Sequence, residues 1–316
     1  MVDDLRVASD GLAVPALVRQ RALANGDAGV RWLRELPDVL GALCVQWELE
    51  LGQPYRGGTA AYVVAARDTA GRDVVVKVAM PLDDEEVAGY RRSVMVHRLA
   101  DGRGCARLLA HDDTMSAMVL ERLGPNLEEL RLPLPQLLET VAATLRSFWR
   151  PIGDDVDLPT AVDKATWLAE TIMATWEQLG RPCRRAVVDR AVAYCDERAA
   201  AFDSRRAVLV HGDAHGWNTL DAGGGRFKLV DPEGVRSEPA HDLGVPMREY
   251  NEPLLAGDTS RLVRERAEQL AAWCDVDPEA VWQWGFIERV STGLLNLRDF
   301  DNDDGAAFLE VAARSS

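Results

Sequence analysis

Between residues 46 and 120 the apolar positions come in short runs that alternate with polar ones; further along they recur every three or four residues over long stretches. The first pattern is that of half-buried strands, the second that of amphipathic helices. Strands are expected at Gln46–Leu51, Ala60–Ala66, Asp73–Ala79, Cys105–Ala110 and Ser116–Leu120, with a helix at Leu82–Ala100 set among them. Helices are expected at Leu134–Trp149, Val162–Leu179 and Arg184–Phe202. Near the C-terminus Thr259–Trp273, Glu279–Phe286 and Ile287–Leu297 follow, then a last helix. Ahead of the first strand, Ala16–Ala24 reads as helical. Val30, Leu33, Leu36, Leu40 and Leu43 keep helical spacing on either side of Pro37. Proline removes a donor and crowds the preceding turn, so a short helix, a break and a second helix are expected there.

Two stretches depart from simple patterning. The strand Ala207–Val210 runs into His211-Gly212-Asp213-Ala214-His215-Gly216-Trp217-Asn218, and Phe227-Lys228-Leu229-Val230-Asp231 follows. Gly223-Gly224-Gly225 lies midway between Asn218 and Asp231 with apolar residues on both sides, which predicts a hairpin with a glycine turn. Folding about that turn brings Asn218 and Asp231 to one end, beside Asp213. Two carboxylates and a carboxamide gathered on a loop can hold magnesium against phosphates and receive a hydroxyl proton. Asp and Asn in loops more often only shape turns and caps. A zinc site built on His211, Asp213 and His215 is the competing chemistry. It would need further ligands, and His97, His111 and His241 stand in no paired spacing.

The second stretch is Gly52-Gln53-Pro54-Tyr55-Arg56-Gly57-Gly58-Thr59, a glycine-rich turn between two strands, where a backbone can approach phosphates without intervening side chains. In the strand after it, Lys77 is the one charge among Val74, Val75, Val76 and Val78. A lysine there either reaches solvent from an edge strand or finds an anionic partner, since an unpaired buried ammonium is very costly. Nucleotide phosphates would supply that partner. Met118-Val119-Leu120-Glu121-Arg122-Leu123 ends a strand in a polar bend. That bend suits a boundary between an N-terminal lobe (1–122) and a C-terminal lobe (123–316), and its backbone could bond an adenine edge.

Composition narrows the partners. A net charge of −15 argues against nucleic acid or anionic membrane as the main partner. No apolar run approaches the ~18–20 residues of a membrane span, and the N-terminus lacks a basic region followed by an apolar one. The 5 cysteines form no C-x-x-C and read as small core residues of a reducing compartment, so a cytoplasmic protein is expected. Lys77, Lys164 and Lys228 are the only lysines among 36 basic residues, which makes each of them noticeable. Acidic residues collect at Asp154, Asp155 and Asp157 and again at Asp299, Asp301, Asp303 and Asp304, where they could face a cationic ligand or merely solvent.

With glycine turn, strand lysine, strand-to-bend at Glu121, H-G-D-A-H-G-W-N and L-V-D-P-E in this order, the chain resembles the aminoglycoside phosphotransferase family over about residues 45–300. Leu120–Leu123 and Gly102–Leu109 look most like the streptomycin 6-phosphotransferase and hydroxyurea kinase branch. The resemblance implies a two-lobed, protein-kinase-like α+β fold with a β-rich N-terminal lobe and a mostly helical C-terminal lobe. It further implies transfer of the γ-phosphoryl of ATP (or GTP), with Mg2+, to a hydroxyl of a small-molecule, aminoglycoside-like antibiotic, conferring resistance. Asp213 matches the residue that orients or deprotonates the acceptor, and Asn218 and Asp231 match the metal ligands. Lys77, with Gly57, Gly58 and Thr59, matches the phosphate site, and the backbone of Glu121–Leu123 the adenine hinge. His211 and Asp242 match residues that brace the catalytic loop. The helix glutamate that pairs with the strand lysine has only Glu85 and Glu86 as candidates, both near the helix N-terminus. A kinase of a neutral nucleoside or sugar, a nucleotide-binding protein without turnover and the metal hydrolase are the alternatives.

Overall fold

The computed structural model describes residues 12–56, 58, 61–300 and 303–315. The chain divides into two compact units, one formed by Met1–Gly102 and Ala106–Leu123, the other by Arg103–Cys105 and Gly124–Ser316.

In the first unit, helices α1 (Ala16–Ala24) and α2 (Gly26–Trp47) precede β1 (Leu49–Pro54), β2 (Ala61–Asp68) and β3 (Asp73–Ala79). Helix α3 (Asp84–Ala100) then leads to β4 (Leu108–Asp112) and β5 (Ala117–Glu121). The strands form one antiparallel sheet in the order β1-β2-β3-β5-β4. Alternation sorts its two faces. Tyr62, Val64, Val74, Val76 and Val78 pack against Leu36, Leu40 and Leu43 of α2, while Met118 and Leu120 pack against Tyr90 and Val94 of α3. Asp83 caps α3 by accepting a hydrogen bond from the Glu86 amide at 2.8 Å.

The expected break at Pro37 does not occur: α2 is a continuous 22-residue helix with Pro37 inside it. Leu33, Leu36, Leu40 and Leu43 stay in phase across the proline and are all buried. Burying four leucines on one stripe, at roughly 1.5–3 kcal/mol each, outweighs the roughly 3 kcal/mol cost of an internal proline. The same helix runs on through Trp47, so the first strand begins later than its alternating residues suggest. The strand expected at Cys105–Ala110 is likewise displaced, to Leu108–Asp112.

The second unit holds α4 (Leu127–Leu130), α5 (Leu134–Phe148), α6 (Ala161–Gln178), α7 (Arg185–Ala200), α8 (Pro239–Arg248), α9 (Asn251–Leu255), α10 (Thr259–Cys274), α11 (Pro278–Asp299) and α12 (Asp303–Ser315). Four short strands, β6 (Val208–Val210), β7 (Thr219–Asp221), β8 (Phe227–Leu229) and β9 (Val235–Ser237), make the antiparallel pairs β6–β9 and β7–β8. Helix α11 joins the two helices expected at Glu279–Phe286 and Ile287–Leu297. It packs against α6, α7, α8, α10 and α12. Trp282, Trp284, Phe286, Ile287, Val290 and Leu294 all lie inside, so apolar residues point in every direction and a single-stripe reading misses the continuity. Among the described residues no helix is long and apolar enough to cross a membrane, and all five cysteines are free.

Gly104 ties α5 to the β7–β8 pair. Its carbonyl accepts from the Leu229 amide at 2.9 Å, its φ is +65°, and a Cβ there would stand 2.5 Å from the Phe148 amide nitrogen. Gly104→Ala is therefore expected to destabilise the protein by about 2–4 kcal/mol, through strain at positive φ and overpacking against backbone. The urea midpoint measures this. An unchanged midpoint would mean that Arg103–Cys105 is free to shift.

Candidate active site

Strand β6 delivers His211-Gly212-Asp213 to the edge of the helical core, and a buried carboxylate fixes the turn that follows. Asp242, the fourth residue of α8, accepts from the His211 amide at 2.8 Å, the Gly212 amide at 2.7 Å and the Trp149 indole at 2.7 Å. Gly212 sits at φ +90°, where a side chain would also meet Glu233 at 3.0 Å. Burial pushes the Asp242 carboxyl up to about 6, against the pull of those three donors. His211 is fully buried. Its Nε2 lies 2.9 Å from the Val230 carbonyl and its Nδ1 accepts the Asp213 amide at 3.2 Å. Burial holds its pKa down, at about 4. A neutral imidazole with both nitrogens bonded to backbone cannot also be a zinc ligand, which removes the competing metal reading on geometry. Among the described residues no three His, Cys, Asp or Glu side chains gather into a metal-binding group.

The hairpin β7–β8 pairs Thr219 with Leu229, Leu220 with Lys228 and Asp221 with Phe227. The Val230 amide donates to the Asn218 carbonyl at 2.9 Å, so Asn218 and the exposed Asp231 emerge from the same end of the ladder. Asp231 adopts φ +59°, an unusual backbone state for a residue that carries a Cβ. The Asn218 Nδ2 donates to the Asp213 backbone carbonyl at 3.0 Å and to its Oδ2 at 3.2 Å, which turns the amide oxygen of Asn218 away from Asp213. Asp213, Asn218 and Asp231 are thus brought to one place.

Asp213 is also paired with an arginine and a histidine. Arg248 Nη2 lies 3.0 Å from Oδ1 and His215 Nε2 lies 3.2 Å from Oδ2. Burial on its own would raise this carboxyl; the His215 hydrogen bond and charge, with Arg248 and His211, hold it well below the usual carboxylate range. Arg248 is a hub. Its Nη1 meets the Glu288 carboxylate at 2.7 Å and its Nε meets Glu249 at 3.0 Å. Arg266 donates to the Glu249 carbonyl and Arg289 to the Met247 carbonyl, bracing the end of α8 and the residue just after it. Lys164 of α6 pairs with Glu233 at 2.8 Å and stands 4.8 Å from the centre of the half-exposed Trp167 ring.

The other expected site residues belong to the first unit. Lys77 is half-buried on β3 opposite Met118, on the face covered by α3. Glu86 accepts from the Leu82 amide and from Arg21. Glu121 ends β5: its amide donates to the Arg107 carbonyl at 2.9 Å and its carboxylate accepts the Arg107 amide at 2.7 Å. Leu123 follows, half-buried, and Gly58 sits at φ +90°. Gly57 and Thr59 lie outside the described residues. Neither Arg248 nor Glu288 stands out in the sequence, and His215 does so only as a metal ligand. Lys164 carried the one usable signal, the scarcity of lysine.

Two expectations follow from the bracing of the loop. In Asp242→Asn one donor would face an NH2 group, so stability should fall by about 2–4 kcal/mol, read as a lower denaturation midpoint. The second concerns His241, stacked on Trp284 at 4.1 Å and fully buried, with neither ring nitrogen bonded among the described residues. Burial, and then the Lys164 charge, hold its pKa near 3. Unfolded histidine titrates near ~6.5, so this contribution to stability is present above that pH and is lost as pH falls toward 3. His241→Phe keeps the stack and should lose less stability than the parent between pH 6.5 and 4. Parallel stability curves would contradict a neutral buried imidazole.

The profile of the aminoglycoside/hydroxyurea antibiotic resistance kinases matches residues 46–299. The chain is similar to streptomycin 6-kinase of Streptomyces glaucescens, 26% identical over 94% of this chain and 93% of that one. It is similar to hydroxyurea phosphotransferase of Kitasatospora aureofaciens, 28% identical over 73% of this chain and 66% of that one. The fold is also that of the ADP-bound aminoglycoside phosphotransferase APH(2'')-Ib, with a TM-score of 0.56 at 14% identity, covering 88% of this chain and 98% of that one. A sheet-built N-terminal unit, a helical C-terminal unit and the hairpin site thus sit on a kinase-like α+β fold, and the chain belongs to the aminoglycoside/hydroxyurea antibiotic resistance kinase family.

Proposed function

We propose that this antibiotic kinase moves the γ-phosphoryl of ATP (or GTP) to a hydroxyl of a streptomycin-type aminoglycoside, with Asp213 acting on the acceptor and Asn218 and Asp231 holding Mg2+. The observation that carries the reading is the Asn218 amide bonded to the Asp213 carboxylate, with Asp231 leaving the same end of the β7–β8 ladder as Asn218. The donor set fits the ion: the amide oxygen of Asn218, turned from Asp213, and the exposed carboxylate of Asp231 are hard oxygen ligands. Held there, magnesium would neutralise the charge that develops on the phosphates. Lys77, Gly57, Gly58 and Thr59 are assigned to the phosphates, and the backbone from Glu121 to Leu123 to the adenine. We read the enzyme as cytoplasmic, which its free cysteines suit.

The electrostatics support an aligning role for Asp213. A carboxylate held so acidic is a weak proton acceptor in the ground state, so it aligns the hydroxyl for in-line attack and takes its proton late, as the bond to phosphorus forms. Positioning and charge neutralisation supply most of the acceleration in such a transfer.

Asp213→Ala should lower kcat by at least ~10²-fold while leaving MgATP affinity nearly intact. Asp231→Ala should lose magnesium-dependent nucleotide binding as well, measured by calorimetry. Normal turnover in folded Asp213→Ala would end the assignment, and full MgATP affinity in Asp231→Ala would move the ion elsewhere.

A neutral acceptor is the second reading, favoured by two arginines. Asp154 pairs with Arg236 at 2.7 Å and Asp299 with Arg298 at 2.7 Å, so part of the acidity that could attract a cation is already compensated. A cationic acceptor should show a KM that rises with salt far more than kcat falls. An acceptor KM that stays flat from low to high salt would assign a small neutral hydroxyl compound instead.

A further inference from the structure

An ionised carboxylate offers about four lone-pair positions on its two oxygens. At Asp213, Oδ2 takes Asn218 Nδ2 at 3.2 Å and His215 Nε2 at 3.2 Å, and Oδ1 takes Arg248 Nη2 at 3.0 Å. Three positions are filled among the described residues. The fourth is on Oδ1, next to the Arg248 guanidinium. That guanidinium is held in turn: Nη1 is 2.7 Å from Glu288 Oε2 and Nε is 3.0 Å from Glu249 Oε1, so its three edges face three different carboxylates. Glu249 is partly open to solvent, whereas Glu288 lies in the middle of α11 with only 5% of its surface exposed. Burying a glutamate in a helix core is expensive unless its charge is used. Its hydrogen-bonded cation here is Arg248, whose other end is Asp213.

We infer that the acceptor hydroxyl docks on the remaining Oδ1 position of Asp213, and that Glu288 is a positioning residue which, through Arg248, keeps that position aimed. The inference rests on the assignment of Asp213 to the acceptor. Arg248 blocks one side of Oδ1 and fixes the torsion of the carboxylate. Glu288 stops Arg248 from collapsing onto Asp213 with two donors at once, which would fill the docking position. The planar guanidinium suits this task, because an ammonium has no fixed fork with which to span two carboxylates.

The test is steady-state kinetics of Glu288→Gln, with Arg248→Lys as the second variant should Glu288→Gln fail to fold, each checked by its thermal melt. Both are expected to lose about 10–100-fold in kcat, the scale of a small misplacement of a reacting group, with the KM for MgATP within about threefold of the parent. Glu288→Asp, which restores the charge, should recover part of the kcat lost in Glu288→Gln. A purely structural Glu288 would lower the melting temperature and leave kcat per folded molecule unchanged, and that result overturns the inference. Loss of MgATP binding alongside kcat would overturn it too. Asp213→Ala run in parallel separates the two failures: if it is inactive while Glu288→Gln and Arg248→Lys turn over normally, only the positioning role falls.

Discussion

The second unit depends on the Asp242 carboxylate buried at the start of α8. Two consecutive amides, of His211 and Gly212, and the indole of Trp149 converge on it. Without such an acceptor, a tight turn inside a helical core would leave buried donors unpaired at a cost of about 1–3 kcal/mol each. With it, the turn is rigid, and everything after the turn inherits that rigidity. His211 then bonds the end of the hairpin through Val230, and Asn218 bonds Asp213. An ionisable group is buried, and in exchange the reacting carboxylate is placed to within a hydrogen bond.

Charge around Asp213 is organised in the same manner, by shared partners rather than isolated pairs. Arg248 contacts three carboxylates, while Lys164 of α6 contacts Glu233 from the segment that leaves the hairpin. Exposed pairs such as Arg261–Glu265 contribute little, whereas pairs in the core must be satisfied completely or they destabilise. Among the described residues Arg266 and Arg289 pair with no carboxylate and follow this rule by donating to the carbonyls around the end of α8. Burial brings their pKa values down, to about 10 and about 9.

Much of the fold was legible because its signals are local. Strand β3 is readable in Val74–Val78, and the hairpin is readable because its glycine turn lies midway between two apolar runs. Asn218 and Asp231 could be placed together from that symmetry alone. Arg248 could not: it is one arginine among many, and its partners Asp213 and Glu288 lie 35 and 40 residues away. Pro37 misled because a local rule was overruled by leucines whose burial is decided by a sheet formed later in the chain. The continuity of α11 was hidden for the opposite reason, since a helix buried on all sides has no polar face to mark its period.

The hairpin also divides the chain into positions that can and cannot change length. Gly223, Gly224 and Gly225 all sit at positive φ, and no atom would lie within 4 Å of a Cβ on any of them. That tip is a place where evolution or an engineer could add residues, a peptide tag or a reporter loop. At the opposite end the register from Thr219–Leu229 outward leaves no such latitude, because a slip of one residue in an antiparallel ladder turns every side chain to the other face. A single codon gained there would carry Asp231 away from Asn218, whereas several gained at the tip would leave both where they are.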